Sequence, residues 1–284
     1  MDLSAFKKEC FDYVDSCFEE FEKTKQVMAD IFKVFQRLCK NHNLVYYAAF
    51  GTLLGSIRDN GFIPWDADID VMIPSNEIHK LVDLLNKELP EGYYYVSNFN
   101  DIAYPFCQIR VCKKGYNSFA YHLDVFYMIG YPSNPKKQVK FDKMMMKLFY
   151  RRYAKYEKVT PKENASKKII YFCKLIRKLF LGVISKKRLE KECRKLIFKY
   201  NFEDSDFFTV FCHTNYKLPK SALNPAQLIK CESFDEKVYV PKDSKTLLNI
   251  FYHEDISYLP ISCRFKEFYE SFLRIKNSKD GDIL

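Results

Sequence analysis

The sequence predicts a fold of the α/β or α+β class, because it contains both helical and strand-like hydrophobic patterns. Apolar residues recur at spacings of three and four over residues 2–42, which is typical of amphipathic helix. Residues 66–73 and 106–112 alternate between apolar and polar side chains, which is typical of half-buried strands. The chain of 284 residues is 48% hydrophobic and 17% aromatic, so it has enough apolar side chains for a substantial core.

The predicted elements follow one another along the chain. In order, they are a helix over 2–42 with a break near 22–25, a strand over 44–50, a short helix over 53–58, the strand 66–73, a helix from 74–77 to before Pro90, strands over 93–96, 106–112 and 120–129, a helix over 139–153, a polar linker over 160–166, strands over 207–212 and 238–240, and a helix after Pro241. This order predicts an N-terminal helical segment (1–43), a core (44–135), and a mainly helical region (136–284) that packs on the core.

Three aspartates in five residues are the strongest chemical signal. Asp66, Asp68 and Asp70 fall on one side of the predicted strand, where same-face neighbours stand roughly 7 Å apart. Such carboxylates repel one another unless a cation lies between them. A hard divalent cation with oxygen ligands is the usual solution, so the pattern predicts a Mg²⁺ site, with Mn²⁺ as the alternative.

Two other interpretations of these aspartates stay open. An acidic triplet is often a solvated turn, although the apolar residues between these aspartates disfavour it. An EF-hand calcium loop also has carboxylates at positions 1, 3, 5 and 12, which would be Asp66, Asp68, Asp70 and Glu77. Position 6 of that loop requires glycine for a sharp turn, and here it is the β-branched Val71, so the calcium loop is disfavoured.

Gly51 and Thr52 stand between the predicted strand 44–50 and the helix 53–58. A glycine and a hydroxyl at such a turn present backbone N–H groups and a helix N-terminus, which suits a phosphate. Together with the acidic strand, this favours phosphoryl or nucleotidyl transfer assisted by Mg²⁺. Arg58 is the preferred residue to bind phosphate oxygens, ahead of Arg110, for which a surface salt bridge is an equal alternative.

Asp124 lies in the predicted strand 120–129, between Leu123 and Val125. Burying a carboxylate there is costly without a partner, so Asp124 is predicted to complete the site. It would help to hold a second ion or accept a proton from the attacking hydroxyl. A strand-end position that faces water is the alternative.

These residues also carry a family resemblance. The run Gly51-Thr52-Leu53-Leu54-Gly55, then Arg58, and the run from Gly61 to Asp70 that contains Trp65 resemble the core motif of the LicD family. That family contains phosphocholine transferases that act on bacterial surface glycans, and it is distantly similar to the fukutin group of sugar-phosphate transferases. The resemblance covers about 44–131 and includes Leu123 to Phe126. It implies a nucleotidyltransferase-like catalytic core, with a small mixed sheet flanked by helices, and a helical, basic C-terminal half.

The resemblance also implies a reaction. A phospho-substituted group, phosphocholine from CDP-choline first among them, would move from a CDP-alcohol donor to a hydroxyl of a glycan or lipid-linked glycan. Asp68 and Asp70 would hold Mg²⁺ with support from Asp66, and Gly51-Thr52 would hold the donor phosphates. A choline headgroup favours an aromatic cage, to which Trp65 could contribute. Ala67 stands where the family often has a further acid, which leaves the donor headgroup open.

The net charge of +10 has one source. Residues 167–199 contain twelve Lys and Arg against two Glu, which equals the whole excess. This segment predicts either a helix packed on the domain with a solvated basic face, or a peripheral contact with an anionic membrane. A nucleic-acid-directed nucleotidyltransferase, or a basic nucleic-acid-binding protein, is the alternative function. It is less favoured because the charge lies away from the acidic site, and no nucleic-acid partner is expected. A non-catalytic protein with a vestigial acidic strand is the third hypothesis.

The cysteines indicate a reducing compartment. Ten cysteines form no Cys-x-x-Cys pair, and most have apolar neighbours, so they are expected to be reduced and buried. The first residues lack the apolar stretch of a signal peptide. We therefore expect a cytoplasmic protein, with the peripheral contact at the inner face of the membrane.

Overall fold

The computed structural model describes residues 3–64, 66, 68–97, 108–118, 120–156, 176, 185–211 and 213–252. The helices are α1 (Leu3–Asn41), α2 (Phe50–Arg58), α3 (Ile78–Glu88), α4 (Pro135–Tyr156), α5 (Lys186–Ile197) and α6 (Ser244–Tyr252). The strands are β1 (Tyr47–Ala48), β2 (Ile69–Pro74), β3 (Tyr93–Val96), β4 (Ile109–Lys113), β5 (His122–Tyr131), β6 (Phe207–Val210), β7 (His213–Pro219), β8 (Gln227–Ile229) and β9 (Val238–Val240). The α+β class with a mixed sheet flanked by helices is confirmed.

Strand β5 is the centre of a seven-stranded sheet. The strand order is β1-β2-β5-β4-β3, and β6 joins at β5 and continues into β7. Strand β2 runs parallel to β5 on one edge. On the other edge, β4 pairs with the first half of β5 and β6 with the second half, both antiparallel. Strands β8 and β9 form a separate antiparallel pair.

The register of this sheet brings residues from distant parts of the chain side by side. Asp70 of β2 pairs with Asp124 of β5, and Asp124 pairs with Arg110 of β4. Paired residues on neighbouring strands point to the same face, so these three side chains form one polar row. The alternate residues of the same strands are fully buried and apolar, namely Ile69, Val71, Ile109, Val111, Leu123 and Val125. The polar row therefore lies on the opposite face from this apolar layer.

Three local predictions differ from the structure. Helix α1 is continuous, so the predicted break near 22–25 is wrong. Helix α2 already begins at Phe50, which shortens the predicted strand 44–50 to Tyr47–Ala48. Strand β2 begins at Ile69, so Asp66 and Asp68 precede the strand instead of lying on it.

The C-terminal region contributes strands as well as helices. Strands β7 and β8 were not anticipated by the sequence patterns, because their side chains do not alternate clearly. The segment around Phe234 packs on the central motif: the Glu232 N–H donates to the Asn60 carbonyl at 2.9 Å, and the Phe234 ring lies 4.9 Å from that of Phe62. The three-part division of the chain stays a prediction, and the linker 160–166 lies outside the described residues.

The structure describes the state of four cysteines and the character of the helices. Four described cysteines are buried with free thiols, namely Cys39, Cys112, Cys193 and Cys231. Within the described part of the chain, no helix has the length and apolar character needed to cross a membrane.

Helix α2 packs closely against neighbouring backbone at Gly55, and this contact can be tested. A Cβ added at Gly55 would lie 2.3 Å from the Gly61 carbonyl oxygen and 3.0 Å from the Ile63 nitrogen. Since both neighbours are backbone, we expect Gly55→Ala to lower the free energy of unfolding by about 2 kcal/mol, as overpacking typically does. Urea denaturation measures this. The matched control is Gly51→Ala in the same helix, where the added methyl would crowd a side-chain end, Asp66 Oδ2, and no backbone atom; equal losses in both variants would contradict the prediction.

Candidate active site

The start of helix α2 is joined to strand β2 by hydrogen bonds. The buried Thr52 hydroxyl accepts a hydrogen bond from the Asp70 N–H at 2.8 Å, and the Ala49 N–H donates to the Asp70 carbonyl at 3.0 Å. Phe50, at the first position of the helix, has a φ of 43°, a left-handed conformation that is uncommon for a bulky residue. These contacts hold the N-terminus of α2 beside Asp70.

Asp66 lies over the same helix terminus. Its own N–H donates to the Ile63 carbonyl at 3.0 Å, and its carboxylate accepts from the Asp68 N–H at 3.2 Å. This turn, typical of aspartate, explains why Asp66 and Asp68 do not continue the strand. A Cβ placed on Gly51 would lie 2.8 Å from Asp66 Oδ2, so this carboxylate lies against the first turn of α2, where the helix dipole favours negative charge.

The Asp70 carboxylate is buried beside other negative charges. Burial raises the pKa of Asp70 well above its usual value, and the negative charges of Asp124, Asp68 and Asp66 raise it further, whereas Arg110 lowers it. The charges of the other three aspartates therefore act on Asp70. A cation beside Asp70 would relieve this repulsion.

The donor set can be compared with the requirements of Mg²⁺. Carboxylate oxygens are the ligands that this ion prefers, and Asp68 and Asp70 would supply them. Among the described residues, no three His, Cys, Asp or Glu side chains converge into a group that could hold a metal ion. The donor chemistry of the aspartates thus fits Mg²⁺, and the metal site itself stays a prediction.

Asp124 is buried and held by cationic and amide partners. Arg110 Nε donates to Oδ1 at 2.8 Å, Gln108 Nε2 donates to Oδ2 at 2.9 Å, and His122 Nε2 lies 3.4 Å from Oδ2. Burial acts to raise the pKa of Asp124, but His122 and Arg110 outweigh it and lower the pKa to about 2. A carboxylate with so low a pKa accepts a proton poorly at neutral pH. This geometry disfavours Asp124 as a general base. It favours a role for Asp124 in orienting Arg110.

Arg110 pairs with Asp124 in the structure, and the role of Arg58 in binding phosphate oxygens stays a prediction. Arg58 pairs with Asp59, at 2.7 Å between NH2 and Oδ2. It lies seven residues after Gly51, which places it about 10 Å away along the helix. Sequence reasoning also missed His122, although its spacing of two from Asp124 on a strand places both on one face. Trp65 lies outside the described residues.

Comparisons with known proteins give a consistent result. Residues 43–166 match the family model described as LicD/FKTN/FKRP, nucleotidyltransferase domain. Lipopolysaccharide cholinephosphotransferase LicD of Haemophilus influenzae is 31% identical over 119 residues, which cover 39% of this chain and 44% of that protein. Mannosyltransferase regulator 14 of Saccharomyces cerevisiae is 31% identical over 71 residues, which cover 25% of this chain and 7% of that protein. The chain thus spans less than half the length of either of these curated relatives.

The matched range coincides with the site. It contains α2, the aspartates that precede β2, and strand β5 with Asp124. The resemblance predicted from the motif is confirmed: residues 43–166 of this chain match the nucleotidyltransferase domain of the LicD/FKTN/FKRP family.

Proposed function

We propose that this protein is a Mg²⁺-dependent transferase that moves a phospho-substituted group from a CDP-alcohol to a hydroxyl of a glycan or lipid-linked glycan. CDP-choline is the first candidate donor, because the related protein of Haemophilus influenzae is described as a lipopolysaccharide cholinephosphotransferase. The observation that carries the proposal is the hydrogen bond from Asp70 to Thr52. It fixes a helix N-terminus, which binds phosphate, directly beside the interacting aspartates.

Each part of the site has a task in this reaction. The backbone N–H groups at Gly51 and Thr52 would bind the donor phosphates. Asp68 and Asp70 would hold Mg²⁺, with Asp66 in support, and the ion would neutralise charge on the diphosphate oxygens. Arg110, oriented by Asp124, would add a fixed positive charge on the same sheet face. Asp124 as a further metal ligand stays a prediction.

An aromatic cluster beside the carboxylates supports a choline headgroup. The Phe50 ring lies 5.4 Å from that of Phe126 and 4.7 Å from that of Phe251, and Tyr216 lies 5.1 Å from Phe251. Phe126 follows Asp124 by two residues on β5, which places it about 7 Å farther along the same face. Aromatic faces attract quaternary ammonium groups.

Release of CMP from candidate donors tests the proposal. The full chain is incubated with CDP-choline, CDP-ethanolamine, CDP-glycerol or CDP-ribitol, with or without Mg²⁺ and a panel of glycan acceptors. We expect Mg²⁺-dependent CMP release, fastest with CDP-choline, that stops when EDTA is added. Absence of CMP release from every donor, together with no calorimetric binding of any donor, would contradict the proposed function.

Gly51→Ala tests the phosphate-binding role of the helix terminus. The added methyl would lie 2.8 Å from Asp66 Oδ2 and would push that carboxylate aside while crowding the proposed phosphate position. We expect the KM for the donor to rise at least roughly tenfold with the melting temperature almost unchanged, since the clash involves a flexible side-chain end. Initial rates over a range of donor concentrations measure this. A normal KM would place the donor phosphates elsewhere.

The predicted cytoplasmic location and the membrane contact through 167–199 are also proposals. Of that segment, the described residues are Ile176 and 185–199, which include α5. A lipid-linked acceptor would be reached most readily by a protein that rests on the membrane surface.

A further inference from the structure

One face of helix α4 is basic and exposed, and the proposed reaction does not use it. Four lysines fall on one side of the helix because their spacing follows its turns of 3.6 residues; they are Lys136, Lys140, Lys143 and Lys147. Val139 and Tyr150 lie on the same side and are 55% and 46% exposed. We name these six residues the α4 lysine face.

The α4 lysine face is not needed for packing. The opposite side of the helix carries Phe141, Met145 and Leu148, all of which are buried. None of the four lysines makes an ion pair or a side-chain hydrogen bond with another residue that the structure describes. Since Asp142 accepts a hydrogen bond from the Tyr131 hydroxyl, the nearest acid on the helix is engaged elsewhere.

Neighbouring acids are also neutralised within the protein. Helix α5 packs on α4, and its Glu192 pairs with Arg151 at 2.8 Å. Glu190 pairs with Arg194 of α5 at 2.6 Å. The Lys199 ammonium lies 3.5 Å from the Met144 sulfur, which places a further cation beside the lysine face. Among the residues that the structure describes, no acidic side chain therefore pairs with the lysines of this face.

The shape of the α4 lysine face indicates a partner with an extended surface. The four lysines, Val139 and Met144 line an open depression of about 380 Å³. Lysines beside the exposed Val139 match the interface of an anionic bilayer, where lysines meet headgroups and apolar side chains enter the acyl boundary. A nucleic acid would meet the charges without burying Val139.

We propose that the α4 lysine face docks this protein onto an anionic lipid bilayer. This inference does not depend on the transferase reaction, and it assigns the contact to a helix outside the basic segment 167–199. Each lysine near an anionic surface strengthens partitioning roughly fivefold, so that removing four weakens it by well over tenfold.

Vesicle sedimentation tests the proposal with the full chain. Vesicles of phosphatidylcholine with phosphatidylserine are compared with vesicles of phosphatidylcholine alone, at low and high NaCl. The quadruple variant K136Q/K140Q/K143Q/K147Q is compared with K114Q/K230Q/K237Q/K245Q, which removes the same charge from exposed lysines elsewhere. We expect salt-sensitive binding to the anionic vesicles that falls at least tenfold in the first variant and less than threefold in the second.

Val139→Ser separates a bilayer from other polyanions. We expect it to weaken vesicle binding roughly fivefold, because the valine no longer contributes apolar area. Circular dichroism and melting temperature should match the wild type in all variants, since the substituted side chains are exposed. The proposal is overturned if the wild type does not bind anionic vesicles, if both quadruple variants bind alike, or if Val139→Ser changes nothing. If the wild type binds single-stranded RNA but not vesicles, and the variant K136Q/K140Q/K143Q/K147Q loses RNA binding, the face would be assigned to nucleic acid instead.

Discussion

Replacing Asp70 with asparagine is expected to abolish turnover and to raise thermal stability in metal-free buffer. Asp70 is a proposed Mg²⁺ ligand at the start of β2, and loss of that ion would remove several kcal/mol of transition-state stabilisation, which corresponds to roughly a thousandfold or more in kcat. The same substitution removes a carboxylate that burial and three neighbouring aspartates disfavour.

The pH dependence of this stability effect has a definite sign. Because the folded protein raises the pKa of Asp70, its carboxyl group favours folding below its unfolded pKa of about 4, and this contribution is lost as the pH rises through the higher folded value. The advantage of Asp70→Asn over the wild type should therefore grow from about pH 5 to about pH 8 in EDTA. Excess Mg²⁺ should stabilise the wild type and leave the variant unchanged, because only the wild type would retain the proposed metal ligand.

Calorimetry and CMP release measure the two effects separately. Asp83→Asn on the exposed surface of α3 is the matched control, and it should alter neither turnover nor the response to Mg²⁺. Full activity in Asp70→Asn would contradict the proposed role of Asp70 as a metal ligand. A stability that does not depend on pH would show instead that Asp70 is not ionised among the other carboxylates.

Replacing Arg110 with methionine is expected to cost about 3 kcal/mol or more in the free energy of unfolding. The Arg110–Asp124 pair is buried, with a 2.8 Å contact between Nε and Oδ1, so the substitution leaves a buried carboxylate without its arginine partner. The double variant Arg110→Met/Asp124→Leu should recover part of this loss, because neither charge remains. Urea denaturation of the single and double variants measures the coupling.

Acid titration gives an independent test of the same pair. Since the folded protein lowers the pKa of Asp124 to about 2, this carboxylate stabilises the fold above its unfolded pKa of about 4, and the contribution is lost as the pH falls from about 4 through about 2. The stability difference between wild type and Arg110→Met should shrink over that interval. Lys113 lies on the same strand as Arg110, and its pair with Asp30 of α1 is more exposed. Lys113→Met should therefore lower the free energy of unfolding by less than about 1 kcal/mol. Equal costs for Arg110→Met and Lys113→Met would contradict the prediction.

Several parts of the site were predictable from short stretches of sequence. The spacing of Asp66, Asp68 and Asp70 indicated an acidic cluster, and Gly51-Thr52 indicated a helix terminus beside it. Both predictions concern residues within about 20 positions of one another, so local backbone geometry largely determines them. The strand that bears Asp124 was predictable for the same reason.

The sequence by itself determined the mixed helix and strand content and the residues that carry the chemistry, because periodicity and spacing are local properties. Only the tertiary structure decided that Arg110 pairs with Asp124. It also decided that Asp124 lies next to Asp70 and that two aspartates form a turn before the strand. These contacts depend on the register between strands far apart in sequence, and that register follows from how the whole apolar face of the sheet is buried.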